Sequence, residues 1–340
     1  MQDTLLKPRN VRAPEFGRGE WLNTPQPLAM KALRGRAVLV DIWEYSCINC
    51  LRTLPYLREW QRRYADKGLM LVGVHSPEFH FGRERQVLAA ALEELDISYP
   101  VLMDNDYQTW DAFANRFWPA KYLIDQLGYI RYSSHGEGGY GEFERAIQAV
   151  LREANGDLDL PPPMQPIREE DKPGAVCYRP TPELPAGLFQ GALGNPEGYA
   201  RGLPVLYAMP PQRPRHAFYV SGAWQGGEQH LMYRGQTEGL IKLPYEAVEV
   251  NAVLTPHVDT VERLLHPQTV SVEVWQDDAP LSENSRGLDV DGAGRVRVDR
   301  PHMYNLVRNA GFEQHELTLR VHAAGFAVYA FSFTGCVKDV

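Results

Sequence analysis

The sequence predicts a two-domain protein, an α/β layered half followed by an all-β sandwich, and three observations predict it. Up to about residue 155, nearly continuous apolar runs alternate with stretches whose apolar residues recur every three or four positions. Beyond about residue 175 the apolar residues instead recur every second position. Between the two lie residues 156–174, with five prolines in 19 residues and five acids against two bases, which read as an extended, semi-rigid spacer outside any core. The expected division is therefore a first domain at 1–155, a Pro-rich linker at 156–174 and a second domain at 175–340. A length of 340 residues suits two domains.

In the first half, residues 36–43 (Arg-Ala-Val-Leu-Val-Asp-Ile-Trp) form a strand buried on both faces of a mainly parallel sheet. Leu51, Leu54, Leu57, Trp60 and Tyr64 then mark one face of a helix that begins near Cys47. Residues 69–75 are a second buried strand, followed by a helix over 83–95. A third strand at 99–103, a short helix at 109–117 and a hairpin of strands 121–124 and 129–133 come next. A helix at 141–153, with Phe143, Ile147, Val150 and Leu151 inward, closes the domain. The second half offers strands at 217–220, 230–233, 248–254, 270–274, 296–298, 317–321 and 326–333 with no convincing helix between them. That pattern is a β-sandwich or jelly roll.

Composition excludes several classes. With 44% hydrophobic and 23% charged residues the chain has real cores and is neither disordered, collagenous nor coiled coil. Its 26 prolines and 29 glycines make about 16% of the chain against a norm of roughly 12%, which favours turns and a β-rich part. The net charge of -8, without a basic cluster, argues against nucleic acid as a partner. The start of the chain shows no secretory h-region and no span of about 20 apolar residues follows, so a cytoplasmic location is expected.

Four cysteines are too few for a disulfide scaffold, and two of them, Cys47 and Cys50, are three apart. A zinc site would need two more ligands, yet Cys177 and Cys336 stand far off in the other half; haem attachment would need His where Leu51 stands. No metal or cofactor is expected. At the exit of a buried strand, the first turn of a helix brings unbonded amides and the positive end of the helix dipole to Cys47, favouring its thiolate. Cys50, one turn in, is expected to be shielded and to resolve the mixed disulfide.

The run Asp41-Ile-Trp-Glu-Tyr-Ser-Cys-Ile-Asn-Cys50, with Pro55 beyond it, resembles the thioredoxin superfamily, and within it the redoxin or TlpA-like thiol-disulfide oxidoreductases. The resemblance implies a thioredoxin-like fold for the first domain. It also implies that Asp41 is a buried proton carrier for Cys50, that Pro55 lies in the active-site helix, and that Trp118-Pro119 is a cis-proline loop facing the cysteines. Residues 73–79 and 116–125, and more loosely 241–247 and 331–333, resemble DipZ-type proteins, in which a redoxin domain precedes a carbohydrate-binding-module-like β-sandwich. Cys47, Cys50, Asp41 and Pro119 are then the catalytic candidates, with Trp118, Tyr45 and Ser46 as substrate contacts.

Glu44 reads as a solvated turn residue and His75 as a strand-end residue satisfied by the backbone. For Trp118, substrate contact and packing stay equally open. Cys177 and Cys336 either pair or stay isolated, isolated thiols being the expectation for a cytosolic chain. Trp224 and Trp275 are candidates for a glycan platform, with core packing the better reading. The expected function is thiol-disulfide exchange in the reducing direction, on a protein or small-molecule disulfide, with an unidentified electron donor. The alternatives are a thiol peroxidase, opposed by Val40 and Glu44 where that chemistry places Pro and Thr, and a binding module built on the β-domain.

Overall fold

A computed structural model describes residues 5–337, and these separate into two compact units that divide between Lys172 and Pro173. In the first, β1 (Trp21–Leu22), β2 (Ala37–Trp43), β3 (Leu69–His75), β4 (Val101–Met103), β5 (Ala120–Ile124) and β6 (Ile130–His135) form one sheet in the order β1-β4-β3-β2-β5-β6. β2, β3 and β4 run parallel, and β1, β5 and β6 join antiparallel. The helices are α1 (Ile48–Tyr64), α2 (Arg85–Glu94), α3 (Gln108–Ala112) and α4 (Tyr140–Ala154). Every residue of β2 is buried, as a central strand covered on both faces requires.

One face of the sheet packs Val38, Val40, Ile42, Val72 and Val74 on Met30, Phe113 and Tyr122. The alternate residues of β2, Asp41 and Trp43 among them, point to the opposite face. The aromatic side chains of α1 and α4 interlock, Trp60 stacking on Phe143 at 5.1 Å and Tyr56 on Tyr140 at 3.7 Å. Pro55 lies inside α1 as expected.

The Pro-rich segment is not a free spacer. Up to residue 172 it lies on the first unit. Met164 N donates to Glu144 Oε2 at 2.8 Å, Ile167 N donates to the Tyr56 hydroxyl at 3.0 Å, and that hydroxyl donates to Asp171 at 2.7 Å. Arg63 donates to Glu144, which also accepts from Tyr64. The prolines keep the segment extended, and its polar groups find partners on α1 and α4.

The strands of the second unit pair with one another antiparallel, and only isolated bridges such as Leu193 with Phe218 run parallel among the described residues. Its strands are β7 (Val176–Cys177), β8 (Leu184–Pro185), β9 (Pro204–Tyr207), β10 (Tyr219–Gly226), β11 (Leu231–Tyr233), β12 (Gly239–Thr255), β13 (Val270–Gln276), β14 (Ala279–Pro280), β15 (Arg295–Val298), β16 (His302–Val321), β17 (Ala327–Thr334) and β18 (Cys336–Val337). β12 and β16 pair along nearly their whole length, interrupted by register shifts near residues 247–251. The first part of β12 also pairs β10 and the last part β17, so one long strand serves both layers of the sandwich. A six-residue helix, α5 (Thr260–Leu265), interrupts the β pattern, its N-terminus capped by Asp259 accepting from Val261 N and Glu262 N.

Trp224 is fully buried against Tyr233, and the Trp275 ring carries the Arg320 guanidinium 4.3 Å above it. The first therefore cannot stack on a glycan, and the second has a face already covered. Cys177 and Cys336 form a disulfide between facing residues of β7 and β18, so the expectation of isolated thiols is corrected. Their separation of 159 residues hides a neighbourhood that the sandwich creates by bringing its two ends together.

Candidate active site

Cys47 caps α1 in an extended backbone conformation, half-buried, and its carbonyl accepts the first helical bond, from Leu51 N at 3.0 Å. Cys50 follows one turn later and is buried. Both are thiols, and Cys50 hydrogen-bonds the Cys47 sulfur. Burial pushes the Cys50 thiol well above its ordinary value, helped by that bond and by the charges at Cys47 and Asp41, while a backbone hydrogen bond at Glu44 opposes them.

Asp41 reaches this group from the adjacent strand. It is 1% exposed, its Oδ1 has no hydrogen-bond partner, and burial raises its carboxyl to about 6 despite the Lys121 cation. Lys121 pairs with Asp41 across the β2–β5 ladder. Its side chain is fully buried, donates weakly to Gly136 O at 3.4 Å, and is held below the usual lysine value by burial against the charges of Asp41 and Cys50. Tyr99 is also buried, and that burial, aided by the Asp41 carboxylate and opposed by the Arg58 cation, raises its phenol well above the ordinary value.

The Trp118-Pro119 peptide bond is cis, as the resemblance implies. Pro119 is buried and its carbonyl accepts from Gly136 N at 2.7 Å. Trp118 is half-buried, its indole tilted 43° against Trp110 with ring centroids 4.4 Å apart and its Nε1 donating to Ser76 O at 3.0 Å. The exposed ring of this loop is its neighbour Phe117, at 57%.

Three readings change at the turn between β2 and α1. Tyr45 and Ser46, expected to meet substrate, are each 1% exposed. Tyr45 stacks on His75 and packs edge-on to Phe81, while Ser46 binds Glu44. Glu44, expected in solvent, is fully buried: its Oε2 accepts from Ser46 N at 2.7 Å and Ser46 Oγ at 2.6 Å. Its Oε1 lies 3.6 Å from His75 Nε2, and no hydrogen bond satisfies either His75 ring nitrogen. His75, expected to hold a backbone partner, instead sits among Trp43, Tyr45 and Glu44. Lys121 and Glu44 were the functional candidates that pattern reading missed, because charged residues on a strand and at a turn look solvated until the layers are assembled.

Two family models match this chain: residues 10–133 match the AhpC/TSA family, and residues 187–334 match the thioredoxin-like C-terminal domain. The chain is thus a redoxin domain followed by that β-sandwich domain, and the resemblance to DipZ-type proteins stands. Protein DipZ of Mycobacterium tuberculosis (strain CDC 1551 / Oshkosh) is 38% identical over 241 residues, 69% of this chain and 33% of its own length. The chain therefore spans about a third of that relative. Thiol-disulfide oxidoreductase YkuV of Bacillus subtilis (strain 168) is 29% identical over 137 residues, 40% of this chain and 91% of YkuV. NHL repeat-containing protein 2 of Homo sapiens is 35% identical over 133 residues, 38% of this chain and 18% of that protein.

Proposed function

We propose that the chain is a thiol-disulfide oxidoreductase working in the reducing direction through Cys47 and Cys50. The observation that carries this reading is the layering of the pair: a half-exposed sulfur at a helix start, a buried sulfur one turn on, and an ionisable carboxyl beneath the second. Cys47 attacks one sulfur of a substrate disulfide, forming a mixed disulfide and releasing the other sulfur as a thiol. Cys50 then attacks the Cys47 sulfur, the second substrate thiol leaves, and the Cys47–Cys50 disulfide holds the two electrons' worth of oxidation. Because the Cys50 thiol is so reluctant to ionise, its proton needs an internal acceptor, and Asp41 at about 6 is an acceptor that is mostly ionised at neutral pH.

The substrate is a disulfide, and a dithiol donor restores the pair. An exposed disulfide such as Cys177–Cys336 persists in an oxidising compartment, which favours that setting over the cytoplasm. The test is a Cys50→Ser variant used to capture mixed disulfides, together with the midpoint potential of the native pair. Adducts through Cys47 and a thioredoxin-like potential support the reading; a potential typical of strong oxidants would reverse the direction. Fast stoichiometric consumption of hydrogen peroxide by the reduced protein would instead favour the peroxidase alternative.

A further inference from the structure

We propose that Glu44 is a positioning residue for the nucleophile: its buried carboxylate, backed by His75, fixes the turn that delivers Cys47 to the first turn of α1. The inference rests on the functional reading above and adds a residue to it. Glu44 is bound to that turn from both ends. Its side chain accepts two short hydrogen bonds from Ser46, and its own carbonyl accepts from Cys47 N at 3.3 Å. A backbone hydrogen bond at Glu44 also reaches Cys50. A loop of three residues is thereby closed on itself immediately before the reactive sulfur.

The surroundings hold the carboxylate in place. His75 lies beside its second oxygen, with the Tyr45 ring stacked on the imidazole at 5.7 Å and the Trp43 ring edge-on at 5.5 Å. Gly82 closes the side: a Cβ there would stand 3.4 Å from Glu44 Oε1, 3.3 Å from His75 Cε1 and 2.9 Å from Pro77. A carboxylate taken out of water is costly unless it is bound, and a bound one makes hydrogen bonds about twice as strong as neutral pairs. The arrangement therefore supplies a rigid anchor where a solvated turn would leave Cys47 free to leave the helix cap.

The test is the rate at which reduced protein, as the full chain, is alkylated at Cys47 by iodoacetamide, in Glu44→Ala and Glu44→Gln. Positioning predicts that Glu44→Ala slows alkylation about tenfold, and that Glu44→Gln, which keeps an oxygen for Ser46, recovers to within about twofold of the native rate. Acceleration in both variants would mean that only the charge of Glu44 matters, and an unchanged rate in Glu44→Ala would make it a bystander; either result overturns the proposal. If Glu44→Ala does not fold, Ser46→Ala carries the test, with about threefold slowing expected from the loss of one of the two bonds and no slowing counting against the idea. Alkylation needs no disulfide substrate. A native chain that alkylates normally but reduces nothing would sink the functional reading while leaving this measurement intact.

Discussion

The first unit buries charge and the second does not. Every Asp, Glu, His, Lys and Arg side chain that is buried among the described residues belongs to the first unit: Asp41, Glu44, His75, Asp104, Lys121, Asp125, Arg131 and Glu144. The sandwich buries only threonine, asparagine and serine among its polar residues, and Asn195 and Asn309 bind backbone carbonyls. The cysteines follow the same division. Cys47 and Cys50 are thiols above a buried carboxyl and a buried ammonium, whereas Cys177 and Cys336 are joined across a short ladder. Charge out of water lowers stability and tunes reactivity, and an apolar core with a covalent clasp does the reverse.

The largest expected effect tests the clasp. Opening a loop of 159 residues removes a constraint on the unfolded chain, so Cys177→Ser is expected to destabilise the second unit by about 2–5 kcal/mol. Cys47→Ser, at a half-buried helix cap, is expected to change the stability of the first unit by less than about 1 kcal/mol while abolishing disulfide exchange. Urea titration followed by amide exchange on each unit separates the two. Equal losses from both substitutions would mean that the cysteine pairs are not divided between reactivity and stability.

Asp41 gives the next largest effect, and its sign is fixed. A carboxyl raised in the folded state from 3.8 to about 6 stabilises the fold only in its protonated form, fully below about pH 4 and progressively less as pH rises through 6. The loss by pH 8 is about 3 kcal/mol. Asp41→Asn is therefore expected to raise the melting temperature at pH 8 and leave it unchanged at pH 4, while slowing release of the substrate thiol. A stabilisation independent of pH would show that the carboxyl titrates alike in the folded and unfolded chain, so that burial does not raise it.

Lys121 sharpens the same point on a smaller scale. Its cation pulls the Asp41 carboxyl down against burial, so Lys121→Met is expected to move the Asp41 titration upward from about 6, by about one pH unit. Carboxyl-resolved NMR across pH 4–9 measures it, and a downward or absent shift would remove Lys121 from the site.

Most of the architecture was legible because burial leaves a period: β2, β3, α1 and α4 fall where their apolar spacing predicts them. Residues Trp21 and Leu22 pair β4 over only two positions, too few for any period to register. In β12 and β16 the alternation breaks at the register shifts, so only parts of two long strands could be read. α5 was missed because it leaves Val261, Leu264 and Leu265 exposed and starts on a capping bond that composition alone does not announce. The placement of Cys47 and Cys50 at the start of α1, the burial of Asp41 and the cis bond before Pro119 were readable from spacing and resemblance. Lys121 was not, since its burial follows from pairing with Asp41 across 80 residues of chain, a tertiary fact.

The Pro-rich segment was misread for the same reason, and it offers the finest test. Proline spacing announces an extended chain but says nothing of what the chain lies on. Here Tyr56, next to Pro55 in the cysteine-bearing helix, accepts from Ile167 N and donates to Asp171, while burial and that carboxylate keep its phenol far from ionising. Tyr56→Phe keeps the stacking on Tyr140 and removes the hydroxyl's bonds to Ile167 N, Arg168 N and Asp171, at a cost of about 1 kcal/mol. Limited proteolysis is expected to cut residues 161–172 faster in the variant, with exchange activity nearly unchanged because Cys47 and Cys50 lie a turn or more away. Equal cleavage in both proteins would return the segment to a plain spacer, and the first unit would then end where the prolines begin.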